Sequence, residues 1–369
     1  MITTIANARP DRRDALLRTA ILGGCLLAFG GHAWAHTFCA TNAAQLRAAL
    51  ADVSDGGAYN AEENTIYISG GTHHTNGKEF FYSSTDPHTL NIIGTGEQAC
   101  GVIEQKASLT ILDGDDKSRV FETHSTRGAV LFQYLTIQHG NVGENEHGGG
   151  LLMNDLVGDN GQPLVNLVII RDNHAYIDGG FLIGNGGNFG IDFLNNLVVR
   201  NSADIADGGG GIVYDGANGT GTRINSNTFA DNKVVHHPAG EVGGLYVHTA
   251  TPDTMSNNIF WNNSGFDVKS DIAALVDDDY GTDFSAPAAG SSGNLQVNPH
   301  FVGPANFRLS ASSPLLGMGT LNPPGGYLSG IDIRAKPRTV NGTVDIGAYE
   351  RQAGASSTDD DSVDDADSD

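Results

Sequence analysis

The chain has 369 residues, a formal net charge of −23 at pH 7 and 17% charged residues. Fifty glycines against twelve prolines indicate many tight turns joined by short ordered segments, which favours an all-β or solenoid protein over a helical one. The acidic balance excludes nucleic acid and anionic lipid as expected partners, because a negative surface repels both, and it leaves cations and neutral glycans.

The first 35 residues have the features of an export signal. Arginines at positions 9, 12, 13 and 18 precede the apolar stretch 19–29, and small residues at 33 and 35 suit cleavage before His36. The Arg12-Arg13 pair also suits a twin-arginine signal, so the Sec and twin-arginine routes both stay open. We expect a secreted or cell-surface protein with no transmembrane segment, since the apolar stretch is too short to span a bilayer.

Two cysteines, Cys39 and Cys100, follow this signal. Because exported proteins fold where thiols oxidise, we expect a disulfide between them. The alternative is a reactive thiol, but no basic residues lie near either cysteine in the sequence to activate it.

One pattern recurs through the middle of the chain: an apolar strand, then Asn or Asp, a loop, paired glycines and a second apolar strand. The first strands align on Ile137, Ile170, Val199, Phe229 and Phe260, at spacings of 33, 29, 30 and 31 residues. The glycine pairs 149–150, 179–180, 210–211 and 243–244 repeat with them. This period predicts a right-handed parallel β-helix, a solenoid whose repeats stack at about 4.8 Å around an apolar interior.

The turns and ends of such a solenoid have their own sequence signals. Asparagines at 173, 201, 232 and 263 occupy a turn where their amides can bond the backbone or the next repeat. The exposed first repeat needs a cap, and Asn42–Asp52 predicts a short amphipathic helix capped by Thr41 or Asn42. We divide the chain into an export signal (1–35), the β-helix with its cap (36–297), a closing segment (298–350) and an acidic, disordered tail (351–369).

The closing segment has the most specific motifs: Asn298–Val302, Phe307–Leu309, Ser313–Leu315, Gly330–Arg334, Lys336–Arg338 and Val344–Glu350. It resembles the carboxy-terminal part of bacterial β-helix proteins of the choice-of-anchor Q type, and His36–Ala40 with Cys100-Gly101 is similar to their amino-terminal part. The resemblance implies a pectate-lyase-like fold, exported and often displayed at the cell surface, without an established activity. The acidic tail lacks the apolar anchor of many relatives, so we expect release or non-covalent retention.

The strand alignment predicts two columns of outward side chains. The first contains Gln138, Arg171, Arg200, Ala230 and Trp261, and the second contains His139, Asp172, Asn201, Asp231 and Asn262. In a lyase, Asp172 and Asp231 would help bind Ca²⁺ while Arg171 or Arg200 removes the proton beside a uronate carboxylate. In a structural interpretation the same charges pair along a solvated surface, at about 1 kcal/mol or less each.

Other residues carry weaker signals. Trp261, with Asp172 and Asp231, is a candidate for binding a sugar. His147, Asp178, Asp207 and Glu241 precede the glycine pairs, and the three acids among them, Asp178, Asp207 and Glu241, are either Ca²⁺ ligands or ordinary turn residues. The histidines at 73, 74, 174, 236 and 237 lack the spacing of a transition-metal site.

These observations favour a non-enzymatic secreted or cell-surface β-helix protein that needs no cofactor and contacts a polysaccharide or cell-surface glycan. The alternative is a Ca²⁺-dependent polysaccharide lyase, or another carbohydrate-active enzyme, acting on an acidic polysaccharide. The sequence sets no oligomeric state.

Overall fold

The computed structural model describes residues 35–97, 100–101, 103–156, 162–185, 190–206, 208–215, 221–236, 240–249, 254–270, 274–276, 278–280 and 292–354. All of them belong to one unit, Ala33–Asp369. The expected export signal up to residue 34, Asp207 and the acidic tail beyond residue 354 lie outside the described residues. In the described part of the chain, no helix is both long and apolar enough to cross a membrane.

The protein is mostly β, and long parallel sheets dominate it. The large sheet contains Ala35–Ala40, Glu63–Ile68, Gly71–His74, Leu90–Gly94, Thr110–Asp113, Val130–Gln138, Leu164–Arg171, Asp192–Leu194, Leu197–Val199, Arg223–Asn225, Thr228–Ala230, Thr254–Ser256, Ile259–Trp261, Ala274–Val276 and Asp279–Tyr280. The second sheet contains Phe80–Ser84, Phe121–Ser125, Leu151–Leu156, Phe181–Asn185, Gly211–Asp215, Val242–Thr249 and Phe266–Ser270. A narrow third sheet contains His174–Ala175, Ser202–Ala203 and Lys233–Val234. The closing segment adds an antiparallel hairpin, Phe301–Gly303 with Asn306–Leu309.

The predicted cap helix is confirmed at Ala43–Val53, and a short 3₁₀ helix follows at Ala107–Leu109. Asn42 caps the first helix by accepting a hydrogen bond from the Gln45 backbone N–H at 3.0 Å. The apolar side of the helix is buried in the same cluster as the interior residues of the first strands. The helix therefore covers apolar surface that the first strands leave open.

Strands about thirty residues apart pair in parallel and align their interior side chains. One continuous column contains Ile137, Ile170, Val198, Phe229 and Phe260. The alignment of repeats in the sequence predicted Val199 for this column, and this prediction was wrong by one residue. Leu197, Val198 and Val199 are all buried, and an apolar run without alternation does not reveal which of its residues point inward.

The paired glycines of the second sheet lie where neighbouring repeats approach too closely for a side chain. Phe181 is in register with Gly211, so the glycines 179–180 align with the glycines 209–210 of the next repeat. The sequence had predicted 210–211, one residue further on. A Cβ atom on Gly180 would lie 2.2 Å from the Gly210 carbonyl oxygen. Glycine is required here because of this approach between backbones.

A buried asparagine ladder connects the turns that follow the first strands, as predicted, through Asn173, Asn201, Asn232 and Asn263. The Asn201 side-chain amide donates to the Ile170 carbonyl oxygen at 2.9 Å and to Asn232 Oδ1 at 3.0 Å. The same Oδ1 accepts the Asn201 backbone N–H. Each of these asparagine side chains thus satisfies buried backbone groups of the preceding repeat and donates to a side-chain oxygen of the ladder.

A second ladder, which the sequence reading did not identify, runs through Asn196, Asn227 and Asn258 and ends on Asp278. Its geometry repeats that of the first ladder: the Asn227 amide donates to Asn258 Oδ1 and to the Phe193 carbonyl oxygen, both at 2.9 Å. The second ladder lies within the large sheet, at the bend between strands such as Asp192–Leu194 and Leu197–Val199, whereas the first ladder lies at the bend that follows Leu197–Val199.

The closing segment packs on the outward side of the large sheet. Phe307, Ile333 and Tyr349 form one buried cluster with outward residues of that sheet, including Leu197 and Val199. Two hydrogen bonds fix this contact: the Ala348 N–H donates to Thr228 Oγ1 at 3.0 Å, and the Gly347 N–H donates to the Asn257 carbonyl oxygen at 2.7 Å. Positions that would otherwise face solvent are therefore part of the core.

Inside the closing segment, Arg338 is completely buried and its Nη2 donates to the carbonyl oxygens of Asp345 and Gly347. Glu350 is also buried and accepts the Asp345 backbone N–H at 2.8 Å. Burial raises the pKa of Glu350 to about 8, and the nearby charge of Asp345 adds to the shift.

The Cys39–Cys100 disulfide is present, with a sequence separation of 61. It ties the first strand to the turn after Leu90–Gly94. On the loop-entropy model a closed loop of this length stabilises the fold by about 4 kcal/mol.

Replacing Asn232 with alanine should destabilise the fold by about 2 to 5 kcal/mol, because buried partners such as the Asn201 N–H and the Val198 carbonyl lose their hydrogen bonds. Guanidinium unfolding followed by circular dichroism measures the change. The exposed Asn322→Ala variant is the control and should unfold like the wild type. Equal stability of the two variants would contradict a structural role for the ladder.

Glu350→Gln should reduce the pH dependence of stability. The folded Glu350 keeps its proton up to about pH 8 while the unfolded one loses it near 4.5, so this group makes the wild type less stable as pH rises between those values. Glutamine retains a hydrogen-bond acceptor but does not titrate. Unfolding midpoints of both proteins at pH 5 and pH 8 measure the effect, and an identical decline in the two would refute it.

Candidate functional site

An open cleft of about 560 Å³ lies between the large sheet and the hairpin of the closing segment. The sheet side is formed by Asp231, Trp261 and Asn262. The hairpin side includes Phe301 and Phe307. The cleft thus brings together two of the predicted binding residues, Asp231 and Trp261, with aromatic residues that are distant in sequence.

The alternation of side chains along a strand explains why Trp261 faces the cleft. Phe260 points into the core, so the next residue, Trp261, points outward at the end of its strand and stays partly exposed. Asp231 and Asn262 occupy stacked left-handed turns, both with φ of 57°. The Asn262 side-chain amide donates to Asp231 Oδ1 at 2.6 Å, so a carboxylate and an amide lie beside the indole.

The hairpin side combines aromatic rings with exposed polar groups. The rings of Phe301 and Phe307 meet edge to face with their centroids 5.4 Å apart. His300 is exposed, and its Nδ1 lies 3.2 Å from the Ser312 carbonyl oxygen. The Ser310 and Ser312 hydroxyl oxygens are 3.1 Å apart. An apolar surface edged by hydroxyl, imidazole, amide and carboxylate groups suits a ligand that has both apolar faces and many hydroxyls.

The predicted outward columns need correction at Arg200. Arg171 is in register with Gln138 and Val199, because the repeat after Ile170 is one residue shorter than the alignment assumed. Arg200 therefore lies in the adjacent column of left-handed turn residues, where Asn201 had been placed. That column contains His139, Asp172, Arg200, Asp231 and Asn262, with φ values between 51° and 57°.

This register pairs Arg200 with Asp172. Its Nε and Nη2 donate to the two carboxylate oxygens of Asp172, each at 2.8 Å, and its guanidinium lies over the Phe307 ring at 5.9 Å. Arg171 instead donates from Nε to Gln138 Oε1 at 3.0 Å. The two candidate arginines are thus in different columns, although Arg171 Nε also lies 3.9 Å from Asp172 Oδ2.

The same register separates the two aspartates that were expected to help bind Ca²⁺. Asp172 and Asp231 lie on either side of the repeat that carries Arg200, so two strand spacings, about 9.6 Å, separate their backbones. Both carboxylate oxygens of Asp172 accept hydrogen bonds from Arg200, whereas Asp231 Oδ1 accepts one from the Asn262 amide, so the two carboxylates have different partners.

The other Ca²⁺ candidates are also not aligned as expected. Asp178 is in register with Gly148 and Gly208, rather than with His147 as predicted. It is completely buried and bonds His147 Nδ1 at 2.5 Å, and this hydrogen bond raises the pKa of His147. Glu241 is half-buried, and Asp207 lies outside the described residues.

Sequence reasoning missed the contribution of the closing segment to the cleft. His300 and Phe301 were singled out only as part of a family-like motif, and nothing in strand periodicity links them to Trp261. On the second sheet the exposed Tyr214 stacks on the half-buried His248 with ring centroids 4.9 Å apart, outside this cleft.

Comparisons with models of protein families, with curated proteins and with solved structures found no match. The fold and the cleft define a mostly β protein with long parallel sheets and an open cleft lined by aromatic and polar side chains.

Proposed function

We propose that the chain is a right-handed parallel β-helix of the choice-of-anchor Q type, exported to the cell surface or released, and that it binds a glycan without catalysing a reaction. Parallel pairing of strands about thirty residues apart supports the solenoid. The disulfide supports an oxidising compartment.

The observation that carries the binding proposal is the position of Trp261 beside Asp231 and Asn262 in the open cleft. An indole ring stacks on the apolar C–H face of a sugar, while carboxylate and amide groups bond the hydroxyls at its edge. The volume of about 560 Å³ lies within the range of about 300 to 1,000 Å³ that is usual for small-ligand sites.

The charge of the cleft favours a neutral glycan. Asp231 is a carboxylate, and the nearest arginine of the same column, Arg200, is engaged by Asp172 and Phe307. An acidic sugar would have to approach a net negative chain without a dedicated cation in the cleft lining. Hydroxyl recognition by Asp231, Asn262 and His300 needs no ligand charge.

Trp261→Ala should weaken binding of the preferred glycan at least about tenfold, equal to about 1.4 kcal/mol, because the stacking surface is lost. A panel of neutral and acidic polysaccharides screened against the wild type identifies that glycan, and calorimetry then measures the affinity. Tyr214→Ala is the matched control, since it removes an exposed aromatic ring on the second sheet. Loss of binding in the control with retention in Trp261→Ala would refute the assignment of the cleft.

The alternative function is a Ca²⁺-dependent polysaccharide lyase, and the observation in its favour is the contact of Arg200 with Asp172, with Arg171 Nε 3.9 Å from the same carboxylate. Two hydrogen bonds hold the Arg200 guanidinium in place, and a base must be free to accept a proton. This geometry suits a structural ion pair better than a catalytic base.

Incubation with pectate, alginate or glycosaminoglycans should therefore give no rise in the ultraviolet absorbance of unsaturated uronates, with or without Ca²⁺. A Ca²⁺-dependent rise that Arg200→Ala abolishes would replace the binding proposal with the lyase. Far-ultraviolet circular dichroism of the variant checks that the loss is not due to unfolding.

A further inference from the structure

Parallel pairing near the start of the chain brings histidine and aspartate side chains together at the ends of two strands. His74, the last residue of Gly71–His74, is in direct register with Asp113, the last residue of Thr110–Asp113. Asp115 follows two residues later in a left-handed turn with φ of 55°. None of these three residues lines the cleft that is proposed to bind a glycan.

Donor atoms from these three residues all lie within 4.8 Å of one another. His74 Nδ1 is 2.7 Å from Asp115 Oδ1. Four ligand atoms around a tetrahedral zinc ion, with bonds of 2.0 to 2.1 Å, lie about 3.4 Å apart. Small side-chain rotations are therefore enough to place one nitrogen and two oxygens around a single ion.

Neighbouring groups hold the Asp113 carboxylate in position. Asp113 Oδ1 accepts the Asp115 backbone N–H at 2.8 Å, and Oδ2 accepts Gln138 Nε2 at 2.8 Å and contacts His139 Nδ1 at 3.0 Å. Hydrogen-bonded carboxylates of this kind are typical of metal ligands, because outer contacts fix their orientation.

Burial within the cluster leaves one side open to an incoming ion. The Asp113 side chain is only 9% exposed, whereas the His74 side chain is 49% exposed. The buried Asp113 carboxylate is held in place, and an ion can reach it from solvent on the side where the His74 imidazole is exposed. The imidazole nitrogen selects a transition ion over Ca²⁺ or Mg²⁺, which prefer oxygen ligands throughout.

We propose that His74, Asp113 and Asp115 bind a divalent transition-metal ion, with Zn²⁺ as the best-suited ion and a water in the fourth position. The ion links the end of one strand to the turn of the next repeat. This site is independent of the glycan cleft.

Calorimetric titration with Zn²⁺ alone tests the site, using protein made without a polyhistidine tag. We expect one ion per chain, with affinity reduced at least about tenfold in His74→Ala and in Asp115→Asn. Zinc should also raise the thermal unfolding temperature of the wild type and not that of His74→Ala. Tetrahedral Co²⁺ absorption in the wild type reports the geometry directly.

His236→Ala is the matched control, because His236 is another exposed histidine close to a carboxylate, with Nε2 3.8 Å from Asp204 Oδ1. Its zinc affinity should equal that of the wild type. The proposal is overturned if the wild type does not bind Zn²⁺, if His74→Ala binds it as tightly as the wild type, or if Ca²⁺ binds here in preference to Zn²⁺.

Discussion

The parallel hydrogen bonding between successive repeats is the constraint on which the rest of this structure depends. The backbone of each strand must form hydrogen bonds with the strands of the repeats before and after it. Every bend therefore has to recur with the same conformation. The two asparagine ladders meet this requirement, since amides such as those of Asn201 and Asn227 donate to a backbone carbonyl of the preceding repeat and to the asparagine of the next. Differences in length between repeats can then be absorbed only in the loops.

Because the bends are fixed, side chains at equivalent positions form columns with a defined chemistry. The left-handed turn column brings Asp172 and Arg200 into a two-bond ion pair and places Asp231 beside Asn262. The same principle at the start of the chain aligns His74 with Asp113. In both places strand register, rather than proximity in sequence, brings the polar groups together.

The closing segment covers part of the outward side of the large sheet and forms a cleft with it. It buries outward positions such as Val199 and Ala230, which the large sheet by itself would expose to solvent. Its buried Arg338 and neighbouring acids bond the backbone of the segment and hold its shape. Where this cover ends, Trp261 remains partly exposed, and the cleft lies between the sheet and the hairpin.

The sequence alone determined the repeat period, the first asparagine ladder, the cap helix and the disulfide, because these depend on local patterns or on the number of cysteines. It placed Arg200 one column away from its observed position. Leu197, Val198 and Val199 are all apolar, and only pairing with neighbouring strands distinguishes inward from outward residues in such a run. The tertiary structure also decided the partners of His74 and Trp261, since residues distant in sequence meet only after the strands have stacked and the closing segment has packed on the sheet.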